Sequence, residues 1–426
     1  MEINLFVYAP PFFVLLIVIE FIVSRINKQT IYFLNDFVNN ISSGIVEQSC
    51  TLPLQGLLIY SYQYLYTHHA LFVIKPTSPF SWIFLWLGVD FFYYWFHRAS
   101  HRNTFLWTAH SVHHQSEQYN LSVALRQGVF QTMFSWVVYL PLAVLGFPTW
   151  MFAIVAASNT LYQFWIHTKL IDRLGWFEII FNTPSHHRVH HAINQQYIDK
   201  NYAGSLIIWD KLFGTFTPES SPITYGVTEP LDSWNPFYAN VKVIYDTCKH
   251  SKNLSIWQRL IAFLKPPEWV SKQELKALSL AAQKKENSSQ EHNNSSSSHN
   301  FSEFAKLSPR KMHLDLPSYY ILVNIGIAMV IFNIYLLAFS IYSMLGWLLG
   351  AFILSTLYII GVVLEQGPQL RSTINVEFWR ILLLMFILQL FTQSYIIAFT
   401  GVALFFCFNY LLFYISINHH KQEKVF

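Results

Sequence analysis

The stretch Asp90-Phe-Phe-Tyr-Tyr-Trp-Phe-His97-Arg-Ala-Ser-His101 decides how this chain is read. It closes an apolar run that begins near Phe80, and its end carries two histidines four positions apart, on one face of the same helix. Both halves of that pattern recur along the chain. Apolar runs near the roughly 20 residues that a bilayer asks of a helix lie at 5–23, 44–66, 80–96, 129–147 and 148–166, then at 319–339, 340–364, 378–397 and 398–417. Backbone groups in lipid have only each other as partners, so these runs are expected to be helices, about nine crossings in all. Composition agrees. Of 426 residues, 53% are hydrophobic, 18% aromatic and 12% charged, against the ~25% charge of soluble domains.

The first run follows Glu2 without a basic flank or a small-residue cleavage site, and is expected to be a retained anchor. Gly146-Phe147-Pro148 marks a tight turn between the fourth and fifth runs. If every run crosses, one side receives Arg25, Lys28, Arg98, Arg102, Arg126, Arg173, Arg371, Arg380, Lys421 and Lys424, together with the whole segment 167–317. The other side receives little beyond Lys75, so the first side is expected to be cytosolic. The formal charge of +4 reflects this loop bias and is no nucleic-acid footprint. Cys50, Cys248 and Cys407 are far apart and offer neither a disulfide framework nor a thiolate metal motif.

The expected fold class is all-α: a polytopic integral membrane helical bundle with a cytosolic, histidine-rich di-metal cap. Residues 1–265 form its membrane-embedded catalytic domain. Residues 266–317 form a cytosolic linker, with a short amphipathic helix at 271–285 and a polar, low-complexity, disordered tract at 284–300. Residues 318–426 form a four-helix membrane domain with few charges.

The histidines carry the chemistry. After His97 and His101 come His110, His113 and His114, then His167 at the end of the fifth run, then His187, His190 and His191. Spacing pairs His110 with His113 and His114, and His187 with His190 and His191. All nine fall on the predicted cytosolic side, and His186 is a possible tenth. One metal takes four to six ligands, so nine imidazoles suit two metals with positions left open. Imidazole fits iron, zinc and copper, whereas magnesium and calcium prefer oxygen. Zinc would be satisfied by four ligands, often including Cys, and none is near. Asp90 and Glu117 are candidate carboxylate partners behind the imidazoles. The aromatic residues Tyr93, Tyr94, Trp95 and Trp107 are expected to be interfacial anchors. Lone histidines such as His68, His250 and His419 are expected to be solvated surface residues.

The order HxxxH, HxxHH, a single His and a second HxxHH resembles the fatty acid hydroxylase/sterol desaturase superfamily. Two stretches, FHRASHRNTFLWTAHSVHHQSEQYNLSVALRQ (96–127) and FWIHTKLIDRLGWFEIIFNTPSHHRVHHAINQQYIDKNYAGSLIIWDKLFGTF (164–216), look like its ether-cleaving members, which act on alkylglycerols. The resemblance covers about residues 80–230, and the further membrane half at the C-terminus is similar to the layout of those members. It implies two iron ions held by the nine histidines, dioxygen as co-substrate and tetrahydrobiopterin as electron donor. It further implies cleavage of an alkylglycerol to a fatty aldehyde and a glycerol derivative. Glu117 and Asn120 would orient the second cluster, and Asn201 would position a metal-bound water or a ligating histidine. Asp210 is expected to cap and pack a final turn. No glycine-rich nucleotide motif or haem motif occurs, so electrons must come from a diffusing cofactor or a partner protein.

Two other functions fit less well. The same centre serves hydroxylation or desaturation of a sterol, fatty acyl or carotenoid lipid, because a fold does not fix a substrate. A metal transporter or non-catalytic metal-binding protein would carry ionisable residues at mid-span, whereas these histidines sit at span ends. The expected membrane is the endoplasmic reticulum of a eukaryote or the inner membrane of a bacterium.

Overall fold

Prolines, caps and short polar turns cut the described sequence into helices, some of them shifted from the apolar runs: the second run, 44–66, lies within Leu34–His69, and the run 378–397 overlaps Leu370–Thr392. The computed structural model describes residues 5–270, 318–338, 343–366, 370–392, 400–405, 407 and 409. Helices α1 (Leu5–Ile26) and α2 (Leu34–His69) open the chain. α3 (Pro79–Arg102) begins on a proline, whose missing N–H costs nothing in a first turn, and carries the decisive stretch at its end. Asn103 then accepts from the Leu106 N–H and starts α4 (Thr104–His114) without a loop. The first two histidine clusters therefore stand on two helices joined at one residue.

α5 (Gln131–Leu145) and α6 (Thr149–Trp165) follow. The turn between them is as tight as expected. Gly146 is left-handed (φ 99°), and a Cβ there would meet the Phe72 carbonyl oxygen at 1.9 Å. The short α7 (Pro184–His190) bears the third cluster, and α8 (Ile208–Leu212) closes the loop behind it. α9 (Pro236–His250) is capped by Asn235, and α10 (Ile256–Leu264) by a Ser255/Gln258 capping box. α11 (Ser318–Ala338), α12 (Met344–Gln366) and α13 (Leu370–Thr392) form the C-terminal part. Among the described residues, β-structure is limited to isolated pairings of Phe181 with Leu206 and Ala192 with Tyr225. The expected helix at 271–285, the polar tract at 284–300 and most of the last apolar run lie outside the described residues.

Two apolar cores hold the helices. In one, Tyr62 of α2, Leu85 and Val89 of α3, Leu142 of α5 and Met151, Phe152 and Val155 of α6 pack around α3. In the other, Ile17 of α1 and Val38, Ile41 and Ile45 of α2 pack with Tyr320 and Ile325 of α11 and Phe352 and Leu357 of α12. The C-terminal helices thus share a core with the first two. Large apolar side chains also face outward: Phe12, Ile19 and Ile22 on α1, Ile83 and Phe84 on α3, Val137 on α5, Ile154 on α6 and Trp347 on α12. By length and composition, Met344–Glu365 is the one helix among the described residues that alone suffices to cross a membrane. Gln131–Leu145, Tyr320–Leu336 and Trp379–Leu390 are shorter apolar helices.

Candidate metal centre

The nine predicted histidines meet in two adjoining groups. His97, His101, His110, His114 and His190 form one; His113, His167, His187 and His191 form the other. Within each group one ring nitrogen per residue lies within 4.8 Å of all the others. α3 serves the first group, and His167, two residues past the end of α6, serves the second. α4 and α7 serve both. On each of those helices the pair four apart stays together, His110 with His114 and His187 with His191, and the histidine between them crosses to the other group. Spacing alone joins His110 to His113 and His187 to His190. The split arises because adjacent residues diverge by about 100° around a helix, so His113 and His114 diverge.

Main-chain carbonyls fix the rings. The Nδ1 of His97 meets the Tyr202 oxygen at 2.7 Å, that of His113 the Arg126 oxygen at 3.0 Å, that of His167 the Gln163 oxygen at 2.7 Å and that of His190 the Lys200 oxygen at 3.0 Å. A carbonyl only accepts, so Nδ1 carries the proton in each of these rings and Nε2 presents a lone pair. The lone pairs of His113 and His167 face each other. Nε2 of His167 is 3.2 Å from that of His113 and 3.0 Å from that of His187, and Nε2 of His190 is 3.1 Å from that of His114. The buried Nε2 atoms of His97 and His101 have no hydrogen-bond partner. Burial, followed for most rings by the neighbouring imidazoles, pushes all nine pKa values down, to about 4 for His113 and about 3 for His190. Neutral rings aiming bare nitrogens at a common point repel one another unless a cation sits between them. The donor sets therefore fit soft-to-borderline transition metals such as iron.

The loop that supplies the Tyr202 carbonyl is held from two sides. Asp90, fully buried, accepts from Ser205 N and Leu206 N at 2.7 and 2.9 Å, from Trp209 Nε1 at 3.0 Å and from Asn159 Nδ2 at 2.8 Å. Asp210 accepts from Tyr202 N and Ala203 N, both at 2.8 Å, and from the Thr215 hydroxyl at 2.6 Å. Asp210 thus packs a turn as expected, and the same carboxylate sets the carbonyl that holds His97. Asp90 does not reach an imidazole: it precedes His97 by seven residues, about 10 Å along the helix.

The other candidates lie around the groups. Asn201, left-handed at φ 54°, donates to the carbonyls of His186 and Thr217 at 3.0 and 2.8 Å and accepts from Thr217 N at 2.8 Å. It therefore braces the backbone of the third cluster. Asn120 donates to the Ile31 carbonyl at 2.7 Å and caps the short turn Leu121–Leu125 through Ser122 N at 3.1 Å. Glu117 is exposed beside Asp36 and Asp232; partial burial and then those charges raise its carboxyl pKa. Among the described residues it bonds no imidazole. His186 stands apart, 3.8 Å from Glu178, in a cavity lined also by Arg173, Phe216 and Glu219. Of the expected anchors, Tyr94 is buried, its hydroxyl 2.9 Å from that of Thr215. Tyr93 and Trp107 lean on His97 and His101, with ring centroids 5.2 and 5.0 Å apart.

Two buried arginines escaped the sequence reading. Arg126 donates to the Val112 carbonyl at 2.6 Å and to Gln115 at 2.8 Å. Arg188 grips Glu219 at 2.8 Å and donates to the carbonyls of Thr168 and Ile171 at 3.1 and 2.7 Å. For Arg188 a visible signal was its place inside the third histidine cluster; Arg126, twelve residues past His114, carried none.

Residues 82–215, which span both histidine groups, match the family model "Fatty acid hydroxylase". The chain is 48% identical over 229 residues to the alkylglycerol monooxygenase of Homo sapiens, covering 54% of this chain and 51% of that one. It is 41% identical over 264 residues to the alkylglycerol monooxygenase of Xenopus tropicalis, covering 61% and 58%. It is 32% identical over 142 residues to an ornithine lipid hydroxylase of Rhizobium tropici, covering 33% and 43%. The chain thus spans about half the length of the curated relatives it matches. No solved structure matches it. These matches bear out the likeness to alkylglycerol monooxygenase that the stretches 96–127 and 164–216 carry.

Proposed function

We propose that this chain is a multi-pass membrane monooxygenase that holds two iron ions in its nine histidines. It would cleave the ether bond of alkylglycerols, with dioxygen and tetrahydrobiopterin, to a fatty aldehyde and a glycerol derivative. The observation that carries the reading is the pair of adjoining all-imidazole groups that share α4 and α7. The names of the similar proteins support the substrate class, and the pterin rests on the resemblance read from the sequence alone. Outward apolar side chains on α1, α3, α5 and α6 support passage through lipid, and the Lys/Arg bias supports a cytosolic site. In this reading residues 1–265 are the catalytic domain, 266–317 a linker and 318–426 a membrane domain, in the endoplasmic reticulum or a bacterial inner membrane.

Bound iron supplies the activation of dioxygen. The chain's own residues prepare the site. The carbonyls of Arg126, Gln163, Lys200 and Tyr202 hold the rings as neutral donors. Asn120 and Asn201 are positioning residues, and Glu117 is a polar group at the edge of the second cluster. Most of the rings are buried away from bulk water. In an ether the reacting carbon is the one beside oxygen; a hydroxyl placed there gives a hemiacetal, which opens to an aldehyde and a free glycerol hydroxyl. A second reading, hydroxylation of another membrane lipid by the same centre, is favoured by the match to an ornithine lipid hydroxylase.

The test is oxygen-dependent aldehyde release from an alkylglycerol by iron-loaded protein, with and without tetrahydrobiopterin, against a His190→Ala blank. Pterin-dependent aldehyde that vanishes in the variant is the expected result. Two irons per chain without aldehyde would move the search to other lipids, and no bound iron would overturn the metal assignment.

A further inference from the structure

Helix α12 ends against the segment 233–236, which leads into α9. Glu365, in the last turn of α12, accepts from Trp234 N at 3.2 Å and Asn235 N at 3.1 Å, and also from the Ser233 hydroxyl. Four residues earlier, Gly361 lets the helix lie against the same loop: a Cβ there would meet Asn235 Cα at 3.0 Å and Pro236 Cδ at 3.2 Å. These are two independent signs that the segment 233–236 is clasped by α12. On its other side the segment meets the catalytic half, because Asn39 of α2 donates to the Trp234 carbonyl. The Asn39 side-chain oxygen in turn accepts from Arg126. Arg126 is buried, and its own carbonyl fixes the Nδ1 of His113 at 3.0 Å.

We infer that Glu365 is a positioning residue for the four-histidine group: α12 clasps the 233–236 loop, the loop holds Asn39, Asn39 holds Arg126, and Arg126 holds His113. The inference rests on the reading of the histidines as iron ligands. It gives the C-terminal helices a part in the chemistry of a site to which, among the described residues, they contribute no ligand. The contact that reaches a ring directly is the Arg126 carbonyl at His113; the same arginine also bonds Val112 of α4 and Gln115 just after it, so loosening it bears first on the four-histidine group. His97 and His190 of the five-histidine group keep their own anchors, the carbonyls of Tyr202 and Lys200.

The experiment compares purified full-length wild type with Glu365→Leu, Glu365→Gln and Gly361→Val, each in the same detergent. The readouts are iron per chain, the iron spectrum and the thermal midpoint. Glu365→Gln keeps an acceptor oxygen for the loop amides, whereas Glu365→Leu does not. Wild type is expected to hold two irons. Glu365→Leu and Gly361→Val should retain the second iron about tenfold more weakly, fall toward one iron per chain and show the signature of a single uncoupled ion. Glu365→Gln should recover both. Two irons in Glu365→Leu with an unchanged spectrum would overturn the inference. Loss of both irons together with folding in Glu365→Leu, not restored by Glu365→Gln, would also overturn it by making the contact merely structural. Wild type without iron would overturn instead the metal reading beneath it.

Discussion

The Nε2 atoms of His113 and His167 face each other 3.2 Å apart, while the far nitrogen of each ring is held by a main-chain carbonyl, Arg126 at 3.0 Å and Gln163 at 2.7 Å. Neither ring can turn a donor toward the other without giving up its anchor. A metal between them converts that repulsion into two bonds, and binding to the folded state alone is stabilising. Stripping the metal with a chelator should therefore lower the thermal midpoint by several degrees. Ferrous iron should restore it, as read by intrinsic fluorescence in detergent. An unchanged midpoint across both steps would mean that the rings are held by packing alone.

Arg188 gathers three partners that would otherwise be stranded. Its guanidinium bonds Glu219 at 2.8 Å and the carbonyls of Thr168 and Ile171 at 3.1 and 2.7 Å, with 7% of the side chain exposed. Removing one partner of a buried pair is far costlier than removing both. Arg188→Leu is expected to destabilise the fold by about 3 kcal/mol. Because Thr168 follows His167, it should also weaken metal retention. Arg188→Leu with Glu219→Leu should recover part of the stability. Denaturant titration of the single and double variants checks this, and a single variant as stable as wild type would refute it.

Asp210 gives the fold a pH dependence of known sign. Burial raises its pKa from 3.8 to about 6, partly offset by the bonds from Thr215, Tyr202 and Ala203. The folded state thus keeps this proton after the unfolded chain has released it. The associated stability is fully present below pH 3.8 and is lost as pH rises through about 6, on the order of 3 kcal/mol. Asp210→Asn is neutral at every pH and lacks this dependence. The stability of wild type relative to the variant should therefore decline between about pH 4 and pH 7. A difference that is flat, or that grows with pH, would show that the three hydrogen bonds outweigh burial.

All nine histidines of the two groups could be read from the sequence because helical spacing fixes which side chains share a face, and apolar runs fix which ends lie together. What sequence left open was the partition between groups. Whether His113 faces with His110 or away from it depends on the rotation of α4 against α7, which tertiary packing sets. The anchors of the rings were also hidden, since a main-chain carbonyl such as Tyr202 leaves no mark in residue type. Asp90 was expected behind the imidazoles and instead ties down the 204–206 loop. Its partners, Ser205 and Leu206, are more than a hundred positions away and brought close only by the fold.

Gly204 makes that approach possible. A Cβ at this position would stand 2.8 Å from Asp90 Oδ1, 2.9 Å from Tyr93 Cδ1 and 3.2 Å from Asn159 Oδ1. Asp90 cannot give way, because its carboxylate is tied to Ser205, Leu206, Trp209 and Asn159. The displaced part must then be the loop, and with it the Tyr202 carbonyl that holds His97 at 2.7 Å. Gly204→Ala is expected to cost about 1–3 kcal/mol as an overpacked contact. It should also weaken iron at the five-histidine group while the four-histidine group keeps its ion. The order is opposite to that expected when the Arg126 side is loosened. Iron content measured alongside the thermal midpoint separates the two cases, and a Gly204→Ala protein that matches wild type in both would show that the loop and His97 are not coupled.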